Sequence, residues 1–287
     1  MARTTAAANK SMEMEPGTRY AGRFTIENLV HTGPLGNLYR ARSAEGTVAL
    51  RVFNPELTGV PGLTEYLRTV AREISETSHP GLVTLFRFGV SAAQMYTAHQ
   101  FATGGSLADR LAAGNCLKVR SALQIIADLA PPLSALHAHN ILHGNVEPTN
   151  IVFDADDNPC LTDARLPGVI ERAVRTLNLP IQLDIPLYIA PEVTAGREAD
   201  PRSDQYSLAA VLYHLLAGKP PFPAGDAAAL AESQFTQTAP NLRKINPEVD
   251  DKVARAVQRA LAFARDQRFD TLAEFLVALD ATPSVPL

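Results

Sequence analysis

The chain has 287 residues and a mass of 30.9 kDa, with 46% hydrophobic residues, enough to bury one sizeable core or two smaller ones. A net charge of −4 at pH 7 and a pI near 6.0 argue against a general electrostatic grip on nucleic acid or anionic membrane. No run reaches the roughly 18 apolar residues needed to cross a bilayer, Met1 to Arg19 lacks a secretory apolar core, and Cys116 and Cys160 show neither a disulfide nor a zinc spacing. These features predict a cytoplasmic protein with a mobile tail over 1–19, inert thiols, no membrane insertion and no nucleic-acid partner.

In chain order, Phe24 to Val30 and Asn37 to Ala41 read as strands flanking a turn, and Thr47 to Phe53 is a β-rich apolar run. Leu63, Leu67, Val70 and Ile74 recur at helical spacing and predict a helix over 63–75. Strands follow around Leu82 to Gly89 and Met95 to Phe101, and Gly104-Gly105-Ser106-Leu107 leads into a region that reads as helical. There an apolar stripe of Leu123, Ile126, Ala127, Ala130 and Leu133 meets Pro131-Pro132, which predicts a kink or a break. Further helical patterns lie at 203–217, 226–235, 250–261 and 271–279, the last opening with the capping-box spacing of Thr271 and Glu274. There is no internal repeat, and the sequence ends soon after the last helix, which predicts no appended sensor or membrane module.

Five short segments fall in one order: His143-Gly144-Asn145-Val146-Glu147-Pro148-Thr149-Asn150, Leu161-Thr162-Asp163-Ala164-Arg165-Leu166, Ala190-Pro191-Glu192, Ser203-Asp204-Gln205-Tyr206-Ser207-Leu208, and Asp266-Gln267-Arg268-Phe269. Upstream, His31 to Gly36, with glycines at 33 and 36, and Val48-Ala49-Leu50-Arg51 are more eroded matches. Each is weak alone, but in this order the stretch from about Tyr20 to Ala281 resembles the protein kinase superfamily, and within it bacterial Ser/Thr kinases. The resemblance implies a two-lobed α+β fold. Its small lobe, 20–102, is mainly antiparallel β with one helix, its large lobe, 103–281, is mainly helical, and a short tail follows over 282–287. It also implies that Asp204 binds the backbone of the catalytic loop and that Arg268 pairs with Glu192.

The residues that carry the chemistry depart from the family pattern. Asn145 stands where kinases place the aspartate base, and a neutral amide cannot take a proton near pH 7. Glu147 replaces the catalytic-loop lysine and puts repulsion where the family has attraction. Arg51 replaces the lysine that touches the α and β phosphates, Val70 replaces that lysine's glutamate partner, and Pro34 removes a backbone donor from the glycine-rich turn. His99 takes the position at the back of the adenine pocket. Gly144, Ala164 and Ile185 replace the loop arginine, the phenylalanine after the metal aspartate and the groove threonine. Arg165, Arg172 and Arg175 are expected to form a solvated basic face, and Glu73 and Glu65 to be solvated on their helix.

Asn150 and Asp163 remain as candidate magnesium ligands, and Gly33, Gly36 and Arg51 as candidate contacts to nucleotide phosphates. Together the resemblance and its departures predict a catalytically impaired kinase-like domain. It would act as a scaffold or regulator through a protein partner, with weak or no ATP binding. The alternative is a slow or atypical Ser/Thr kinase, or another nucleotide-dependent transferase, using ATP and Mg.

Overall fold

The computed structural model describes residues 13–112 and 117–285, so Cys116 lies outside it. The chain forms two compact units. Among the described residues, the first contains 13–72, 85–101 and 169–183; the second contains 73–84, 102–112, 117–168 and 184–285.

The first unit is built on a six-stranded antiparallel sheet of β1 (Arg19–Tyr20), β2 (Phe24–Gly33), β3 (Gly36–Ser43), β4 (Gly46–Phe53), β5 (Leu85–Ser91) and β6 (Gln94–Gln100), in the order β1-β2-β3-β4-β6-β5. Strand alternation decides its faces. Val48, Leu50 and Val52 of β4 point to one side, where they join Phe24, Ile26, Tyr39, Tyr96 and Ala98 in one buried cluster. Arg51, opposite Thr97 in the register, and Ala49, opposite His99, point to the other. Residues 17–19, the end of the predicted tail, and Tyr20 run beside β2, where Gly17 N donates to Ile26 O at 2.8 Å. After β4 come α1 (Pro55–Thr58) and α2 (Leu63–Ser75), which buries Leu63, Leu67 and Val70 along one stripe.

The second unit is helical, with α3 (Leu107–Leu111), α4 (Val119–Ala138) and a small hairpin of β7 (Ile151–Phe153) and β8 (Pro159–Leu161). It continues, after α5 (Leu166–Thr176), with α6 (Pro191–Thr194), α7 (Pro201–Ala217), α8 (Ala227–Thr236), α9 (Leu242–Ile245), α10 (Asp251–Ala260) and α11 (Leu272–Leu279). Helix α7 is the centre of its core. An Asp200–Ser203 capping box opens it, and Gly218 in the left-handed region closes it. Between these caps nearly every side chain is buried, including Leu208, Leu212 and Leu215, each contributing about 1.5–3 kcal/mol by leaving water. At the C-terminus, Ser284 N donates to Asp128 of α4 at 2.6 Å.

Of the kink or break expected at Pro131-Pro132, the break does not occur, and α4 is one helix of 20 residues. Both prolines are buried, and Gly81 makes room for Pro132: a Cβ on Gly81 would come within 2.9 Å of the proline ring. Tertiary packing outweighs the loss of the proline donors. The segment after Asp163 also forms α5, for which the sequence reading made no prediction, with Leu166, Ile170 and Val174 buried.

Candidate functional site

In the first unit the structure gathers Gly33, Gly36 and Arg51. Gly33 and Gly36 close the β2–β3 hairpin around Pro34-Leu35, Gly36 pairs with Phe53, and Arg51 lies two residues back along β4, opposite Leu38. Gly36 is required by the backbone: at φ 143° a Cβ would overlap the Val52 carbonyl oxygen. At Gly33 a Cβ would meet the His31 ring at 3.3 Å and Gly36 O at an ordinary contact distance of 3.8 Å. Asn54 ties down the hairpin tip, its side-chain amide donating to Pro34 O at 2.7 Å and its backbone N–H to Leu35 O at 2.9 Å, with Leu35 buried. Sequence reasoning missed this clamp, because nothing local marks a contact twenty residues away. Val70 is buried among apolar residues of α2, so the glutamate position carries no charge.

In the second unit the structure gathers Asn145, Glu147 and Asn150, while Asp163 follows Thr162 on the neighbouring segment. Pro148–Asn150 forms a turn of 3₁₀ helix, and the side chains of Asn145, Glu147 and Asn150 meet around it. Glu147 Oε1 accepts from Thr149 Oγ1 at 2.7 Å, from Asn150 Nδ2 at 3.4 Å and from Asn145 Nδ2 at 3.5 Å. Asn150 Nδ2 also donates to Asn145 O at 2.9 Å, and Thr162 N donates to Asn150 O at 3.0 Å, which ties the loop to the residue before Asp163. One oxygen of Glu147 is thus held within the loop, which tempers the simple repulsion expected from the sequence. Asp163 is buried with φ 58°, a left-handed conformation uncommon for aspartate.

Asp204 at the start of α7 organises this loop. It accepts from His143 N at 2.9 Å and Gly144 N at 2.8 Å, and His137 Nε2 lies 2.8 Å from it. Burial would raise its carboxyl, but these hydrogen bonds and the neighbouring histidines outweigh burial and hold it below the usual range. His143 is fully buried, and that burial keeps its imidazole below its ordinary value. Arg268 makes a two-pronged ion pair with Glu192, at 2.8 Å on each oxygen, with the side chains 0% and 8% exposed. Ser203 Oγ adds a third bond to Glu192 at 2.6 Å. Against the desolvation that would raise it, these partners keep Glu192 low. Both scaffold contacts expected from the resemblance are present.

Some expected features differ. Glu73 is not simply solvated: it pairs with Arg165 at 2.6 Å, so Arg165 leaves the basic face on which Arg172 and Arg175 remain exposed. Arg165 carries φ 60°, and Ala164 packs with Leu82, Leu136 and Ile141. Tyr188 and His214 stack at 6.0 Å and share a 2.7 Å hydrogen bond, a pair the sequence reading did not consider. Burial pushes the Cys160 thiol up to about 11, in keeping with an inert cysteine.

The donor set suits a magnesium ion in part. Asn150 supplies an amide oxygen and Asp163 a carboxylate, while no three His, Cys, Asp or Glu side chains gather as a metal group among the described residues. Such a pair holds magnesium when phosphate oxygens and water complete the shell. The hairpin fits phosphates less well, because Pro34 offers no donor and Asn54 fixes the tip.

No helix among the described residues is long and apolar enough to cross a membrane. The protein kinase domain family matches residues 24–279. The DNA damage-responsive serine/threonine-protein kinase RqkA of Deinococcus radiodurans is 31% identical over 266 residues, covering 90% of this chain and 39% of RqkA. Serine/threonine-protein kinase PknJ of Mycobacterium tuberculosis is 29% identical over 282 residues, covering 94% of this chain and 46% of PknJ. The chain therefore spans less than half the length of these curated relatives. The crystal structure of the Mycobacterium tuberculosis PknI kinase domain has 25% identity and a TM-score of 0.75, and covers 94% of this chain and 99% of its own. With its two-lobed α+β architecture, its Glu192–Arg268 pair and this match over most of its length, the chain belongs to the protein kinase domain family, close to the bacterial eukaryotic-like Ser/Thr kinases.

Proposed function

We propose that this chain is a catalytically impaired kinase domain that signals by binding a protein partner, with weak, metal-dependent binding of ATP. The observation that carries the reading is Asn145 at the base position, its side chain donating into the loop. An amide has no acceptor that ionises near pH 7, and loss of a general base is worth roughly 10² to 10⁴ in rate. Glu147 in place of lysine removes a further electrostatic contribution of order 10² to 10³. Together they cost several orders of magnitude.

A second reading is a slow, atypical ATP- and magnesium-dependent Ser/Thr protein kinase. The relatives, named Ser/Thr protein kinases, support it more directly than they support the first. So does the retained pair of Asn150 and Asp163, because phosphoryl transfer leans on metal and positioning more than on covalent chemistry.

When bound, magnesium would supply positive charge against phosphate oxygens, and Asn150 and Asp163 of the second unit would hold it. Gly33, Gly36 and Arg51 of the first unit are the proposed contacts to nucleotide phosphates. Calorimetry with ATP, in magnesium and then in EDTA, tests the binding half of the proposal: affinity is expected to be weak and lost in EDTA. Low-micromolar affinity that persists in EDTA would contradict it. Transfer of phosphate to Ser/Thr substrates, abolished by Asp163→Ala, would establish the second reading in place of the first.

A further inference from the structure

Glu147 is the largest departure in the catalytic loop, and its contacts give it a specific task. The Asn150 amide nitrogen faces two acceptors at once, Asn145 O at 2.9 Å and Glu147 Oε1 at 3.4 Å. Those two acceptors fix which end of the amide is nitrogen, so the Asn150 oxygen is turned away from them. Thr149 Oγ1, at 2.7 Å, holds the same carboxylate oxygen in place. A lysine at 147 would offer donors only and could not accept from the Asn150 amide.

We propose that Glu147 is a positioning residue for the divalent-cation site: its carboxylate locks the Asn150 amide with the oxygen presented to the metal. The inference rests on the reading that Asn150 and Asp163 hold that cation. In this chain the 147 side chain serves the metal ligand, whereas the lysine of the family pattern serves the phosphate. Groups that orient a metal ligand in this way act through affinity, and their loss costs about 10- to 100-fold in metal binding.

The test is a titration of the full chain with Mn²⁺ in the presence of a non-hydrolysable ATP analogue, with free Mn²⁺ followed by its electron paramagnetic resonance signal. Glu147→Leu, which removes the acceptor, is expected to weaken Mn²⁺ binding about 10- to 100-fold. Glu147→Gln, whose amide oxygen can accept the same bonds, is expected to stay close to wild type. Equal weakening by Gln and Leu would mean that Glu147 acts through its charge, and would overturn the positioning role. Unchanged affinity in Glu147→Leu would overturn it as well. A wild-type chain that takes up no Mn²⁺ would instead defeat the metal reading on which the inference stands. Should Glu147→Leu melt well below wild type, Thr149→Ala replaces it, because Thr149 is exposed and its hydroxyl only steadies the carboxylate. Weaker Mn²⁺ binding in that variant supports the role, and unchanged binding refutes it.

Discussion

Two regions of the second unit lie on either side of one residue, Asp204, and have fared differently. On one side, Glu192, Ser203 and Arg268 form a buried, fully hydrogen-bonded cluster of the kind the kinase pattern implies. On the other, the loop that Asp204 holds by the backbone of His143 and Gly144 carries Asn145 and Glu147 where a base and a cation are expected. The contrast separates what the fold needs from what the reaction needs. A buried ion pair cannot lose one partner without stranding a charge, whereas the half-buried side chains of Asn145 and Glu147 can change while the loop's backbone stays anchored.

The sharpest way to break this contrast is to remove one side of it. Arg268→Ala leaves the Glu192 carboxylate buried and should cost about 3–5 kcal/mol in denaturant unfolding. Asn145→Ala should cost about 1 kcal/mol or less, since it deletes one long, partly exposed hydrogen bond. Equal losses would remove the distinction between scaffold and reaction residues.

A smaller effect separates the two hairpin glycines. Gly36→Ala must adopt a strongly disfavoured backbone and should cost at least about 1–3 kcal/mol. Gly33→Ala should stay within about 0.5 kcal/mol, because only the movable His31 ring stands in the way. Melting temperatures of the two variants decide whether Gly36 is held by architecture, independently of any phosphate.

Acid should expose the same hub. Burial holds His143 below its ordinary value of 6.5, so the unfolded chain binds the extra proton and stability falls as pH drops below about 6.5. Asp204 and Glu192 are held below 3.8 and 4.5, so their contribution is present above those values and is lost as pH falls further, through their lowered folded values. Denaturant midpoints taken from pH 8 to pH 3 should therefore decline in two stages. A flat profile between pH 7 and pH 5 would show that His143 is not buried in its neutral form.

The smallest effect lies at the exposed Glu73–Arg165 pair. Glu73→Ala should change stability by about 1 kcal/mol or less, since surface ion pairs are weak. A loss several times larger, read from the same denaturant curves, would mean that this pair holds the backbone after Asp163.

Much of this was legible in the sequence, because the signals were periodic or chemically obligatory. The stripe of Leu63, Leu67, Val70 and Ile74 matches α2 from end to end, and the Glu192–Arg268 and Asp204 contacts are those that the family resemblance implied. Helix α5 was not legible although Leu166, Ile170 and Val174 recur every four residues, because Pro167 and Gly168 in its first turn weaken the helix signal. The uninterrupted α4 could not be read, since the space that admits Pro132 is made by Gly81, some fifty residues earlier. The same holds for Asn54 on the hairpin tip and Glu73 on Arg165: both are long-range side-chain contacts with no local signature. Site residues were identified by position, but their partners were not, and it is the partners of Glu147 that redefine it.

On the function proposed above, this domain keeps the kinase scaffold and a candidate metal-ligand pair, Asn150 and Asp163, and lacks the group that takes the proton. Single-turnover transfer from radiolabelled ATP, with saturating magnesium and a generic Ser/Thr substrate, tests it most directly. No incorporation above that of Asp163→Ala is expected, in a protein that melts cooperatively and binds Mn²⁺. Magnesium-dependent transfer by the wild type that Asp163→Ala abolishes would contradict it.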